Sequence, residues 1–183
     1  NPAGTVPVYL EDSTSPVSGV EAIGEFLEET KSRSVSLIPG DAFERAEVRR
    51  LVGWFDVKFY AEVSEPVITE KVIRRFLPRA SGGGGPDMNR VRQSSVRLRE
   101  HLDYIGHLAD HHTWLAGENL SLADLAAAAH VSVVDYFGDI PWTDYPAAKS
   151  WYQRIKSRPS FRPLLADTVR GMAPAAAYAD LDF

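Results

Sequence analysis

The sequence has no cysteine and no run of 18 or more apolar residues. The first absence excludes disulfides, zinc sites built on thiolates and cysteine nucleophiles, which agrees with a reducing compartment. The second excludes a transmembrane helix, and the chain starts without the layout of a signal peptide. Excess positive charge is missing too, because the net charge is −5. We therefore expect a cytoplasmic protein with no membrane span and no nucleic-acid partner.

The positive charge that is present is concentrated in one segment. Residues 69–100 contain eight Lys and Arg against three acidic residues, so the segment carries +5 and the rest of the chain −10. Such a segment is either a solvated helical face or an electrostatic docking surface for an acidic partner. Under the second interpretation, the candidate partner-binding residues on the predicted long helix are Arg90, Arg97 and Arg99.

Strand-like sequence gives way to helical sequence along the chain. Residues 5–10 are β-rich, and residues 11–15 are typical of a turn. Ser18 and Glu21 have the spacing of a capping box, which predicts a helix whose N-cap is Ser18. Helical periodicity resumes at Asp41, and we expect a kink or a fresh start at Pro66. Further helices are predicted at residues 88–107, 121–137, 145–157 and 160–166, and the four glycines at 82–85 predict a flexible loop.

The most specific local motif is Leu120-Ser121-Leu122-Ala123-Asp124-Leu125. Ser121 and Asp124 can each satisfy an unpaired backbone donor at a helix start, and the flanking leucines can close over them. Residues 117–124 resemble the G-x-x-L-S-x-A-D hallmark of the helical domain of the glutathione transferase superfamily. Residues 114–116, 145–146 and 158–161 fit the same family, and the opening N-x-x-G-x-V-P resembles the second half of its thioredoxin-like domain.

The resemblance implies a mainly α fold. We expect a partial thioredoxin-like α/β domain at residues 1–33, a linker at 34–40, an all-helical domain at 41–167 and a C-terminal tail at 168–183. The family's catalytic Tyr, Ser or Cys lies on an earlier strand–helix–strand, which we expect upstream of Asn1. The resemblance also implies a homodimer and a cis Val6–Pro7 peptide bond, with the Val6 backbone facing glutathione.

The glutathione site is predicted to be degenerate. The family usually has an acidic residue and then Ser before x-Ala-Ile, and these groups hold the γ-glutamyl end of glutathione at a helix start. Here Gly19 and Val20 occupy the two positions, and neither supplies a carboxylate or a hydroxyl. Each lost contact should cost about 1–3 kcal/mol of binding. We therefore expect no cofactor, and glutathione only if the chain belongs to an active enzyme.

Two other candidate sites are weaker. His107 and His111 have helical i, i+4 spacing, but no further ligand is obvious near them, so we expect no metal site. Asp135, inside an apolar helix, is interpreted as a structural hydrogen-bonding residue.

The tail leaves two interpretations open. Asp180, Leu181, Asp182 and Phe183 alternate acidic and large apolar side chains, as in short peptide ligands, but such a tail can equally dock on its own domain. With the degenerate site, this ending resembles the glutathione transferase-like division regulators of alphaproteobacteria, which bind the tubulin-like polymer FtsZ.

Two functional hypotheses follow. The first is a non-catalytic protein that binds FtsZ or another division protein and regulates cell division in the cytoplasm, at the division site. The second is a glutathione-dependent transferase or isomerase with its catalytic residue upstream of this chain. The sequence favours the first.

Overall fold

The computed structural model describes residues 4, 6–11, 15–31 and 35–183. Two short antiparallel strands, β1 (Val8–Tyr9) and β2 (Val17–Ser18), pair with Val8 opposite Ser18. Helix α1 (Val20–Lys31) follows β2 directly. The predicted turn at residues 11–15 and the predicted boundary between residues 33 and 34 involve positions outside the described ranges.

The prediction that Ser18 caps α1 is wrong. Ser18 belongs to β2, and the carbonyl of Gly19 accepts the first helical hydrogen bond, from the Ile23 N–H at 3.0 Å. Gly19 has a φ of +94°, in the left-handed region that favours glycine, and this lets the chain turn sharply from β2 into α1. The backbone therefore favours glycine at the position where the family usually has an acidic residue.

A continuous helical rod, α2, covers residues 42–76. It is α-helical at Ala42–Gly53, Glu65–Ile68 and Arg74–Phe76 and π-helical at Trp54–Ser64 and Thr69–Ile73. A kink or a fresh start was predicted at Pro66, and an α-helical segment does start there, at Glu65, after the π-helical stretch; the backbone stays helical on both sides. The wider π turn before Pro66 accommodates a ring that would otherwise clash with the carbonyl four residues earlier.

The loop after α2, which was predicted to be flexible, is folded back on the helix end. The Gly84 N–H donates to the Arg74 carbonyl at 2.9 Å, and the Gly83 N–H donates to the Pro78 carbonyl at 3.0 Å. A Cβ atom on Gly83 would lie 1.8 Å from the Leu77 carbonyl oxygen, so only glycine permits this close approach.

The remaining helices are α3 (Met88–His111), α4 (Leu122–Tyr136) and α5 (Pro146–Lys156). Helix α3 runs one turn beyond its predicted end, and the predicted helix at 160–166 is a 3₁₀ turn, Arg162–Ala166, with proline near its start. Helices α2 to α5 share one hydrophobic core around α4. None of the helices in the described part of the chain is both long and apolar enough to cross a membrane.

Asp124 anchors α4 in this core. Its side chain is completely buried and accepts the Ser121 N–H and Oγ–H at 2.9 and 2.8 Å, which confirms the predicted capping box. It also accepts the Leu115 N–H and the Trp151 Nε1–H, both at 2.9 Å. One carboxylate thus joins the start of α4 to α5 and to the loop before α4.

Candidate functional site

A cleft of about 470 Å³ lies between the start of α1 and the outer face of α2. Its walls are largely apolar, with Val48, Val52 and Val57 from α2. Gly19 and Val20, the predicted glutathione-site positions, both line it, as does Ser18. The Val6–Pro7 peptide bond is cis, as the resemblance implies, and the Pro7 carbonyl accepts the Gly19 N–H at 3.1 Å. The structure therefore brings the predicted positions together.

The charged groups at this cleft are mostly acidic. Glu21, Glu25 and Asp56 line it together with a single cation, Arg49. Arg49 is already bound to Glu25 through two hydrogen bonds of 2.6 and 3.1 Å, which hold the pKa of Glu25 below its usual value. The two remaining carboxylates disfavour a ligand that carries carboxylates of its own. The backbone amides at the start of α1 have the opposite effect, because a helix N-terminus favours negative charge.

A second constellation beside the cleft has the connectivity of a catalytic triad. His130 Nδ1 lies 2.9 Å from Ser64 Oγ, and His130 Nε2 lies 3.2 Å from Asp56 Oδ1. Ser64 is only 1% exposed, so its hydroxyl cannot reach a substrate. The arrangement therefore fastens α2 to α4 and is not a nucleophilic site. Sequence reasoning missed it because His130 is 66 and 74 positions away from Ser64 and Asp56, which lie on a π-helical segment.

His101 of α3 holds the same π-helical segment from the other side. Its Nε2 lies 3.0 Å from Glu62 Oε2, and its Nδ1 accepts the Trp54 Nε1–H at 3.2 Å. The ring is buried, and burial lowers the pKa of His101 despite the nearby carboxylate. His101 is therefore neutral near pH 7 and acts as a hydrogen-bonded core residue.

The predicted partner-binding arginines fall into different environments. Arg90 pairs with Glu65 at 2.5 Å and with Glu70 at 3.1 Å, so it joins α3 to α2 within the molecule. Glu70 is 2% exposed, and the Asp87 N–H together with Arg90 and Arg74 lowers its pKa. Arg90 therefore has a structural role that sequence reasoning did not predict.

Arg97 and Arg99 lie on the solvent side of α3. Arg97 pairs with Glu100 at 2.9 Å in an exposed i, i+3 contact, and Arg99 is exposed. Within the basic segment, Lys71 pairs with Asp139 and Arg74 with Glu70. Fewer of the eight basic residues therefore present their charge to solvent than the charge count implies. The exposed ones include three arginines that were not among the predicted partner-binding residues: Arg75, Arg79 and Arg92.

The tail packs on its own domain, the second of the two interpretations. Tyr178 is 4% exposed, and its hydroxyl lies 2.8 Å from Ser132 Oγ. Phe183 packs edge-on against Trp142, and Leu181 is half-buried against the core. Only the carboxylates among the predicted tail residues, Asp180 and Asp182, are exposed. A docked tail therefore presents an acidic edge rather than apolar anchors.

Asp135 is a structural hydrogen-bonding residue, as predicted, but sequence reasoning missed its cationic neighbour. Asp135 Oδ1 accepts the Trp142 Nε1–H at 2.9 Å, and Asp135 Oδ2 lies 3.6 Å from Lys156 Nζ. Lys156 is completely buried. Burial raises the pKa of Asp135 and lowers that of Lys156, so both groups are driven towards neutrality.

The chain belongs to the glutathione S-transferase family, as the motif at residues 117–124 suggested. The model of the glutathione S-transferase C-terminal domain matches residues 66–159. A relative from Caulobacter vibrioides, FtsZ-localized protein A, is 50% identical over all of this chain and 79% of its own length.

Solved structures agree with this assignment. A glutathione S-transferase from Sinorhizobium meliloti superposes with a TM-score of 0.94 at 49% identity, over 100% of this chain and 80% of that one. FzlA from C. crescentus superposes with a TM-score of 0.91, at the same identity and coverage. The mainly helical fold with an all-helical C-terminal domain is thereby confirmed.

Proposed function

We propose that this chain is part of a non-catalytic glutathione transferase-like protein that binds FtsZ and regulates bacterial cell division. The observation that carries the proposal is the 50% identity, over the whole chain, to a relative named FtsZ-localized protein A. The protein would act as a homodimer in the cytoplasm, at the division site, and without a cofactor.

The cleft supports the non-catalytic part of the proposal. Gly19 and Val20 contribute no polar side chain, and the positive φ of Gly19 makes an acidic residue there strained. The carboxylates of Glu21 and Asp56 repel an anionic tripeptide. We expect glutathione to bind weakly for these reasons.

Two charged surfaces are the proposed contacts with the partner. The exposed arginines of α3, including Arg97 and Arg99, would steer an acidic surface of FtsZ, and this attraction weakens as salt screens it over about 8–10 Å. The acidic edge of the docked tail, Asp180 and Asp182, would form a second contact. Leu181 and Phe183 would shape this edge by holding the tail in place.

Co-sedimentation with FtsZ polymer tests this proposal. We expect Arg97→Glu/Arg99→Glu to weaken co-sedimentation at low salt, with the difference shrinking as salt rises. Reversal of Asp180 or Asp182 should weaken it while the melting temperature stays unchanged. A matched control is Arg162→Glu, an exposed arginine outside the basic segment. Full binding by both sets of variants would refute the proposed surfaces, and no binding by the unaltered protein would refute the partner.

The alternative is a glutathione-dependent transferase or isomerase. It is favoured by the cleft at the α1 start and by the glutathione S-transferase from Sinorhizobium meliloti that shares the fold at 49% identity. Calorimetry with glutathione separates the two proposals. Micromolar affinity would support the enzyme, whereas an undetectable heat at millimolar glutathione would support the non-catalytic protein.

A further inference from the structure

The last residues of the chain are seated in a site of unusual composition. The Phe183 ring lies edge-on to Trp142 and Tyr152, with centroid separations of 5.0 and 6.0 Å. Two ammonium groups approach the same ring, Lys156 Nζ at 4.0 Å and Lys149 Nζ at 5.1 Å from its centroid. The site around Phe183 therefore combines aromatic side chains with two cations. The C-terminal segment that fills it combines an aromatic ring with two carboxylates.

The C-terminal residues also carry charge opposite to that of the two lysines. The negative charge of Asp180 acts to raise the pKa of Lys156, against the larger effect of burial, which lowers it. Asp182 lies beside Phe183 and remains exposed, with its N–H donating to Asp180 Oδ1 at 2.9 Å. Two acidic residues, at positions 180 and 182, thus precede the aromatic anchor in the sequence.

Docking of the C-terminal residues has an energetic penalty. With the tail docked, Lys156 Nζ, Asp135 Oδ2 and Tyr152 Oη are buried and have no hydrogen-bond partner among the described residues. The Lys156–Asp135 separation of 3.6 Å is longer than a good hydrogen bond. Ions that lose water without full pairing oppose the docked state, while the burial of Phe183 and Leu181 favours it. Buried polar groups that lack full pairing therefore oppose the docked state of residues 179–183.

We propose that Trp142, Lys149, Tyr152 and Lys156 form a recognition site for acidic peptides with an aromatic anchor, which the chain's own residues 179–183 occupy reversibly. The site takes the pattern Asp-x-Asp-Phe, with the ring within cation–π distance of both ammonium groups. A peptide of the same pattern supplied separately competes for the site. The inference does not depend on FtsZ as the partner.

Amine labelling of the full chain, read by mass spectrometry, tests the proposal. Lys156 should be protected relative to the exposed Lys31. Phe183→Ala should raise the Lys156 labelling rate at least tenfold, and Leu181→Ala, which leaves the aromatic ring intact, should raise it in the same direction. A synthetic peptide of residues 179–183 at millimolar concentration should restore protection to the Phe183→Ala protein. The same peptide carrying Phe183→Ala should not.

A second measurement tests whether the buried charges oppose docking of the C-terminal residues. Asp135→Asn/Lys156→Met removes both buried charges while keeping an acceptor for Trp142, so the amides of residues 180–183 should exchange with solvent about tenfold more slowly. Circular dichroism verifies that each variant is folded. The proposal is overturned if Lys156 stays protected in both tail variants, if the matching peptide protects no better than its alanine counterpart, or if the neutral pair speeds exchange.

Discussion

At the scale of single residues, Asp124 shows how burial changes the weight of a predicted contact. A surface capping residue contributes about 0.5–2 kcal/mol. Asp124 is buried and accepts four hydrogen bonds, so truncation would leave four donors without a partner. We expect Asp124→Ala to lower the free energy of unfolding by about 3–4 kcal/mol in urea denaturation. A loss no larger than that of Asp41→Ala, at the exposed cap of α2, would contradict this.

Arg90 and Arg99 test the difference between a structural and a docking arginine. Arg90 neutralises the buried Glu70, whereas Arg99 faces solvent. We expect Arg90→Glu to cost about 3–5 kcal/mol of stability, because it leaves a buried carboxylate beside a new one. Arg99→Glu should stay within about 0.5 kcal/mol. Thermal unfolding of both variants decides the matter, and equal melting temperatures would assign Arg90 to the surface instead.

At the scale of elements, the glycine loop provides the sharpest test. Gly83 and Gly85 are two residues apart, but a Cβ on Gly83 would meet the Leu77 carbonyl at 1.8 Å, while one on Gly85 would meet nothing within 4 Å. We expect Gly83→Ala to destabilise the protein by about 2 kcal/mol or more and Gly85→Ala to be neutral within about 0.5 kcal/mol. A flexible loop would tolerate both substitutions equally in chemical denaturation.

The elements also show where sequence patterns are sufficient. The caps at Asp41 and Ser121 use local chemistry, so the starts of α2 and α4 were predictable. Pro66 indicated a change in the helix because proline cannot continue the α-helical hydrogen-bond pattern, but the sequence could not show that a π-helical turn would accommodate its ring. Ser18 misled because a capping-box spacing cannot distinguish an N-cap from a strand residue followed by a glycine turn.

At the scale of the whole molecule, sequence reasoning identified the family and one wall of the candidate cleft. Gly19 and Val20 were predictable because they sit next to a recognisable Ala-Ile pair. The opposite wall comes from α2 and Leu122, and the residues that fasten it, Ser64 and His130, are 66 positions apart. Such contacts depend on how helices pack, and no local pattern specifies them.

His101 makes one contribution to the pH dependence of global stability, and the raised pKa of the buried Asp135 makes another of opposite sign. The pKa of His101 is lowered in the folded chain because the ring is buried, and this outweighs the nearby Glu62 carboxylate, which raises the pKa. The unfolded chain therefore binds a proton near pH 6.5 that the folded chain refuses, so stability falls as pH drops through that value. The carboxylates with lowered pKa values, such as Glu70, lose their contribution only below about pH 4.5.

Between pH 7.5 and 5.5 the free energy of unfolding should therefore decrease with a slope that approaches about 1.4 kcal/mol per pH unit at its steepest. His101→Gln should be less stable at pH 7.5 but should flatten this slope, because glutamine keeps a donor for Glu62 and cannot take up the proton. His111→Gln, at the exposed end of α3, serves as the matched control and should keep the original slope. Urea denaturation at four pH values measures each slope, and an unchanged slope in His101→Gln would place the pH sensitivity in another residue.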